Sequence, residues 1–257
     1  MALYVYGIMR PGEARRAAEA INREARHRVQ VVEGERASAL VSPMAAGDLR
    51  LRRETVMAHA DVLQAAFAHG PVLPLRFGIV VADADSLARE VLEGPFQQPS
   101  ERLDTLDGKA EMQLKATYCE EPLLRSILAH DSALRRDAQR IQKLPPAATH
   151  FERIRLGEAI AAAVEVRQLA DRAALLRALA PLAVAHAVGR PHHERAVANL
   201  SFLVRRESLA RFDRAVEALS RERADEMEFK LIGPLPPYSF ADGNVVLGSG
   251  AAGASWG

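Results

Sequence analysis

The sequence predicts an α+β protein of two domains, with antiparallel or mixed sheets covered by helices. Three observations carry that prediction. Short apolar runs and helical stretches follow the order strand–helix–strand–strand–helix–strand and then strand–helices–strand–helix–strand. Gly108 falls between the two halves of that order and reads as a hinge. At 257 residues, 49% of them hydrophobic, the chain is long enough for one large domain or two modest ones, each with its own core.

Ala2–Ile8 is an apolar run stopped by Arg10-Pro11-Gly12 and reads as a buried strand; Glu13–Arg28, rich in Ala and Arg, reads as a helix. Val29–Glu33 and Arg36–Ser42 flank Gly34 as an antiparallel pair, ended by Pro43. From Asp48 to His69 the pattern is helical, with Val56, Ala60, Leu63 and Phe67 on one stripe and Gly70-Pro71 as terminator. Val72–Val81 reads as a strand that Pro74 confines to a sheet edge or a bulge. Asp83–Leu92 and Ser100–Leu106 read as short helices separated by Gly94-Pro95.

In the second half, Glu111–Tyr118 alternates Met112, Leu114 and Ala116 as a strand. A mostly helical stretch follows from Pro122 to about Val188, interrupted at Pro145-Pro146, with Leu175, Leu179 and Leu182 on one face. Ala196–Val204 reads as a strand, Glu207–Arg223 as an amphipathic helix, and Glu226–Ile232 as a half-exposed strand. The expected organisation is an N-terminal α+β domain over residues 1–107 and a second domain over 108–240. That second half is close to a ferredoxin-like split βαβ arrangement with added helices. Residues 241–257 are expected to be a flexible Gly/Ala-rich tail.

Lys+Arg 34 against Asp+Glu 33 leaves a formal net charge of +1, which argues against nucleic acid as the partner. A single cysteine, Cys119, permits no intramolecular disulfide and fits a reducing cytoplasm. No apolar run reaches the roughly 18 residues of a membrane span, so no membrane partner is expected.

The sequence carries few chemistry-bearing constellations. His186, His192 and His193 lie close in sequence, but Pro191 breaks any helix that would align them, and a solvated connection is the favoured reading over a metal site. His59 and His69 are ten residues apart on one helix, about 15 Å at ~1.5 Å per residue, too far to share a ligand. Cys119 precedes Glu120 and Glu121, whose charge disfavours a thiolate nucleophile. No G-x-S-x-G, phosphate-binding loop or dinucleotide fingerprint is present. No catalytic residue, metal or cofactor is therefore expected.

Two segments stand apart. Pro71–Val81 (PVLPLRFGIVV) sets Arg76 among apolar residues on a strand, where a buried guanidinium needs a structural partner. Gly233–Phe240 (GPLPPYSF) has three prolines that stiffen an extended chain and two aromatic anchors, Tyr238 and Phe240. Both readings of it stay open: a strap over the protein's own core, or a docking element.

These segments, taken with LYVYGI (Leu3–Ile8), AHADVL (Ala58–Leu63), VLPLRFGIV (Val72–Val80), LDGKAEMQLK (Leu106–Lys115) and NLSFLV (Asn199–Val204), resemble the gas vesicle protein F/L family in order over residues 2–240. Departures are Ile79 in place of a usual Thr and Leu235 in place of a common Trp. The resemblance implies a non-enzymatic accessory protein of gas vesicle formation, in the cytoplasm or at the vesicle, with a modified ferredoxin-like C-terminal domain. It implies as partners the small hydrophobic shell protein A and other accessory proteins. Carried over by position, Arg76, Phe77 and Gly78 match the family strand, and Pro236, Pro237, Tyr238, Ser239 and Phe240 match its terminus. They are candidates for structure or partner contact only. The rival expectations are a metal-dependent hydrolase built on the three histidines and a small-molecule-binding regulatory module.

Overall fold

A computed structural model describes residues 1–24, 27–44, 51–92, 99–145, 148–191, 193–241 and 246–247. It is an α+β structure with two sheets, antiparallel in every pairing described. The first sheet places β1 (Leu3–Met9) beside β3 (Ser38–Pro43), with β2 (Gln30–Glu33) beyond β3. On the other side of β1 run β4 (Val72–Pro74) and β5 (Val80–Val81).

Every residue of β1 is buried, because the strand is central and covered on both faces. Tyr4 and Tyr6 point to α1 (Pro11–Arg23) and α2 (Arg53–Phe67), whereas Leu3, Val5 and Ile8 point the other way. Two local expectations change here. Pro11 begins α1 instead of preceding it, since a proline at the first helical position loses no bond that the helix would have made. The helix stops at Arg23, not Arg28. On α2 the buried face is His59, Val62, Leu63, Ala66 and Phe67; Val56, expected on the stripe, is 39% exposed. Residues 48–50 of the expected helix lie outside the described residues.

Short helices, α3 (Ala84–Leu87) running on as one wider π turn to Leu92, and α4 (Pro99–Leu106), close the first half. Asp83 caps α3 by accepting from the Ser86 amide at 2.8 Å. The expected Gly94-Pro95 separator lies outside the described residues.

The second sheet has the order β10-β7-β8-β6-β9: Val246–Leu247, Ala185–Val188, Ala196–Arg205, Lys109–Tyr118 and Met227–Leu235. Between β6 and β7 come α5 (Glu120–His130), α6 (Ser132–Gln142) and the 30-residue α7 (His150–Leu179); α8 (Leu209–Glu222) joins β8 to β9. Helices do not fill the stretch to Val188: its end is β7, a four-residue strand too short for periodicity to reveal. One face of this sheet, with Leu114, Leu200, Phe202 and Val204 fully buried, carries a core closed by Leu175 and Leu179 of α7 and Phe212 and Val216 of α8. From the opposite face, Ala185 and Leu203 join Leu3, Val5, Ile8 and Phe240 in a core shared by the two sheets. In the segment expected to be a free tail, Ala241 is buried and Val246–Leu247 pair with β7; residues 248–257 lie outside the described residues.

A charged knot fastens α7 to this body. Asp171, 9% exposed, accepts from the Tyr118 hydroxyl at 2.6 Å, from Arg167 Nε at 3.2 Å and from Arg223 Nη1 at 3.4 Å. Glu226 bridges the same two arginines at 3.1 and 3.0 Å, and Arg167 also donates to Ser126. Burial and the Asp171 carboxylate push the Tyr118 hydroxyl far above its ordinary pKa.

Candidate functional site

The loop between β4 and β5 holds the first candidates. Val72–Val81 is not one strand: Pro74 ends β4 at the sheet edge, and the chain turns at Phe77-Gly78 before rejoining β1 as β5. Gly78 has φ +102°, a region that excludes most side-chain-bearing residues. The turn stays tied to β1, with Leu75 N–H donating to Tyr6 O and Val5 N–H to Ile79 O, each at 3.0 Å.

Beneath it lies an aromatic cluster around His59, which is 5% exposed. His59 Nε2–H donates to Leu75 O at 3.1 Å, because a carbonyl can only accept. That leaves Nδ1 to accept the Tyr4 hydroxyl at 2.7 Å. Tyr6 stacks on the imidazole at 5.6 Å, and Phe77 meets it edge-on at 5.8 Å. Burial pushes Tyr4 up to about 12 and lowers His59. Phe77 and Gly78 are thus structural anchors. Arg76, expected to be buried on a strand, is instead exposed, just before the turn.

A pH dependence follows. The folded protein binds the His59 proton more weakly than the unfolded chain, so stability falls as pH drops from about 6.5 through the lowered folded value. Thermal melts between pH 8 and 5 should show that loss for wild type and a flatter profile for His59→Gln. Equal slopes would remove His59 from the account.

The second candidate segment begins inside β9. At Gly233 (φ +151°) an added Cβ would sit 2.5 Å from Met112 Sδ and 2.9 Å from Glu111 O, so a side chain there would displace the β6 backbone. Pro234 is accommodated because β9 is an edge strand. Pro236 and Pro237 are buried, and Tyr238–Phe240 form a single 3₁₀ turn. Glu111 of β6, 2% exposed, accepts from both Ser239 N–H and Ser239 Oγ at 2.7 Å, and the Ser239 hydroxyl lies 2.9 Å from Ser201 Oγ. Phe240, 4% exposed, fills the core between the two sheets. Tyr238 stays 37% exposed, with partial burial and the Glu111 charge pushing it up to about 12.

GPLPPYSF is therefore a strap over the protein's own core that leaves Tyr238 and Ser239 at the surface. Helix α2 touches both segments, through His59 to the loop and through Gln64 Nε2 donating to Pro234 O at 3.2 Å. Glu111 escaped the sequence reading. The signal for it was a carboxylate inside the alternating run of β6, out of phase with Met112 and Leu114.

His186 sits on β7 with its ring 6.4 Å from Phe202, and His192 lies outside the described residues. Among the described residues no group of three His, Cys, Asp or Glu side chains could hold a metal ion. No described helix is long and apolar enough to cross a membrane.

Comparison with known proteins extends the pattern of these segments to most of the chain. A family described as gas vesicle synthesis protein GvpL/GvpF matches residues 2–242. Gas vesicle protein F of Streptomyces sp. (strain CB03234) is 37% identical over 205 residues, covering 80% of this chain and 84% of that protein. Gas vesicle protein F of Dolichospermum flosaquae is 27% identical over 197 residues, covering 74% and 77%. The crystal structure of GvpF from Anabaena sp. PCC7120 superposes with a TM-score of 0.74 at 21% identity, over 93% of this chain and 98% of that one. GvpF from Microcystis aeruginosa does so at 0.71 and 24%, with the same coverage, and both establish the shared fold. The chain belongs to the GvpL/GvpF family of gas vesicle synthesis proteins.

Proposed function

We propose that this protein is a non-enzymatic accessory protein that binds the small hydrophobic gas vesicle shell protein, and other accessory proteins, during nucleation or assembly in the cytoplasm. The observation that carries the reading is the family match over residues 2–242. The geometry is compatible with it. A β-rich, apolar shell subunit is an aggregation hazard until it is incorporated, and a partner that pairs with its edge suppresses that hazard. The outer edge of β9 pairs with no other described strand, which offers main-chain groups for strand addition. Arg76 and Tyr238 are the members of the two candidate segments that combine exposure with a large side chain.

Division into units over 1–107 and 108–240 belongs to the same proposal. The β9-β6-β8-β7 order, with helices between β6 and β7 and between β8 and β9, supports a modified ferredoxin-like second unit.

The test is a co-expression pull-down with the shell protein, using wild type, Arg76→Ala and Tyr238→Ala, each verified as folded by circular dichroism. Wild type is expected to retain the shell protein, and the two substitutions to weaken retention together more than singly. If folded wild type retains none, direct handling of the shell protein is wrong.

A further inference from the structure

The helices α6 and α7 meet at an end that contributes few buried side chains. The fully or nearly buried residues of α7 are Asp171, Leu175 and Leu179, all in its C-terminal third. Helix α6 buries only Ile141, and an 11-residue helix with so little tertiary burial is marginal by itself. Where α6 leads into α7, this region keeps large apolar side chains in water: Phe151 is 77% exposed, Ile154 46% and Leu144 42%.

The same region is basic. Residues 132–155 carry six Lys or Arg against two Asp or Glu, in a chain whose net charge is +1. The two carboxylates are already taken, since Arg140 Nη1 bonds Glu152 at 3.0 Å and Nη2 bonds Asp137 at 3.3 Å. Among the described residues, Arg136 and Lys143 form no ion pair. Beside them a shallow groove of about 390 Å³ is lined by Arg136, Gln139, Arg140, Lys143 and Leu144.

From this combination we propose that the α6/α7 end is a docking surface for an acidic amphipathic helix of a protein partner. Carboxylates on that helix would meet Arg136 and Lys143, and its apolar stripe would cover Leu144, Phe151 and Ile154. Charge complementarity selects an anionic partner, and Arg with aromatic side chains is the combination that carries binding energy in interfaces. A groove lined by Arg136, Gln139, Arg140, Lys143 and Leu144 suits single side chains projecting from a helix, whereas a bilayer presents a flat headgroup surface. Nucleic acid would gain nothing from Leu144 and Ile154. The surface lies apart in sequence from the Arg76 loop and the strap, and the inference does not depend on shell-protein binding.

The test uses the full chain and a fluorescein-labelled 20-residue helical peptide with Glu on its polar face and Leu on its apolar face. Fluorescence anisotropy is read against the same peptide with Lys for Glu, and against one with Ser for Leu. Binding of the Glu/Leu peptide alone is expected, weakening with salt. Arg136→Glu/Lys143→Glu and, separately, Phe151→Ser should each weaken it about tenfold, a loss of ~1.4 kcal/mol. These side chains are exposed, so far-UV circular dichroism should be unchanged. The proposal is overturned if the Glu/Leu peptide does not bind, if the Lys peptide binds equally, or if both variants bind as wild type. It is also overturned if phosphatidylserine vesicles or a 20-mer oligonucleotide bind the same surface in preference to the peptide.

Discussion

Replacing Phe240 with alanine should cost about 3–5 kcal/mol of stability, the range for truncating a buried aromatic ring. The ring is 4% exposed and lies where Leu3, Val5 and Ile8 of the first sheet meet Ala185 and Leu203 of the second. Its removal leaves a cavity in the core that the two sheets share. Urea unfolding of Phe240→Ala beside Tyr238→Ala is the check. Tyr238, 37% exposed, should cost less than about 1 kcal/mol, as surface substitutions do. A Phe240 loss no larger than the Tyr238 loss would mean the strap is not part of the core. The contrast also guides the pull-down: truncation before Gly233 would remove the core residue together with any contact residue, so only point substitutions separate the two roles.

Asp171→Ala should be similarly severe, about 3–5 kcal/mol, because it orphans the Tyr118 hydroxyl and leaves Arg167 and Arg223 to share the Glu226 carboxylate. Asp171→Asn keeps the shape and loses the charge, so it should fall between wild type and alanine. Chemical denaturation of the three proteins decides the matter, with a cost below 1 kcal/mol for alanine reducing the knot to a surface ion pair. Because Asp171 joins α7 to β6 and to the α8–β9 turn, hydrogen exchange in Asp171→Ala should rise first along α7.

Much of the local structure was legible in the sequence. The apolar run at Leu3–Ile8, the alternation in β6 and the stripe Leu209, Phe212, Val216 and Leu219 on α8 report burial through spacing alone, since each pattern repeats with the period of its own element. Failures came where a neighbour distant in sequence decides. Val56 and Val62 are equally apolar, and only the position of the sheet under α2 buries one of them. Strand β7 has four residues, and its pairing with β8 makes it a strand. Arg76 lies among apolar residues, yet Gly78 and the Leu75–His59 bond turn that stretch away from β geometry.

By itself the sequence determined the α+β class, most of the elements and, through ordered motifs, the family. Only the tertiary structure decided that GPLPPYSF is a strap, that Phe77 and Gly78 are anchors while Arg76 is exposed, and that Glu111 and Asp171 hold the fold. The physical reason is separation along the chain. Tyr4 finds His59 55 residues on, Tyr118 finds Asp171 53 on, and Glu111 finds Ser239 128 on. Such partners leave no periodic trace in the chain, because their spacing is set by how sheets and helices stack, not by the rise of any one element.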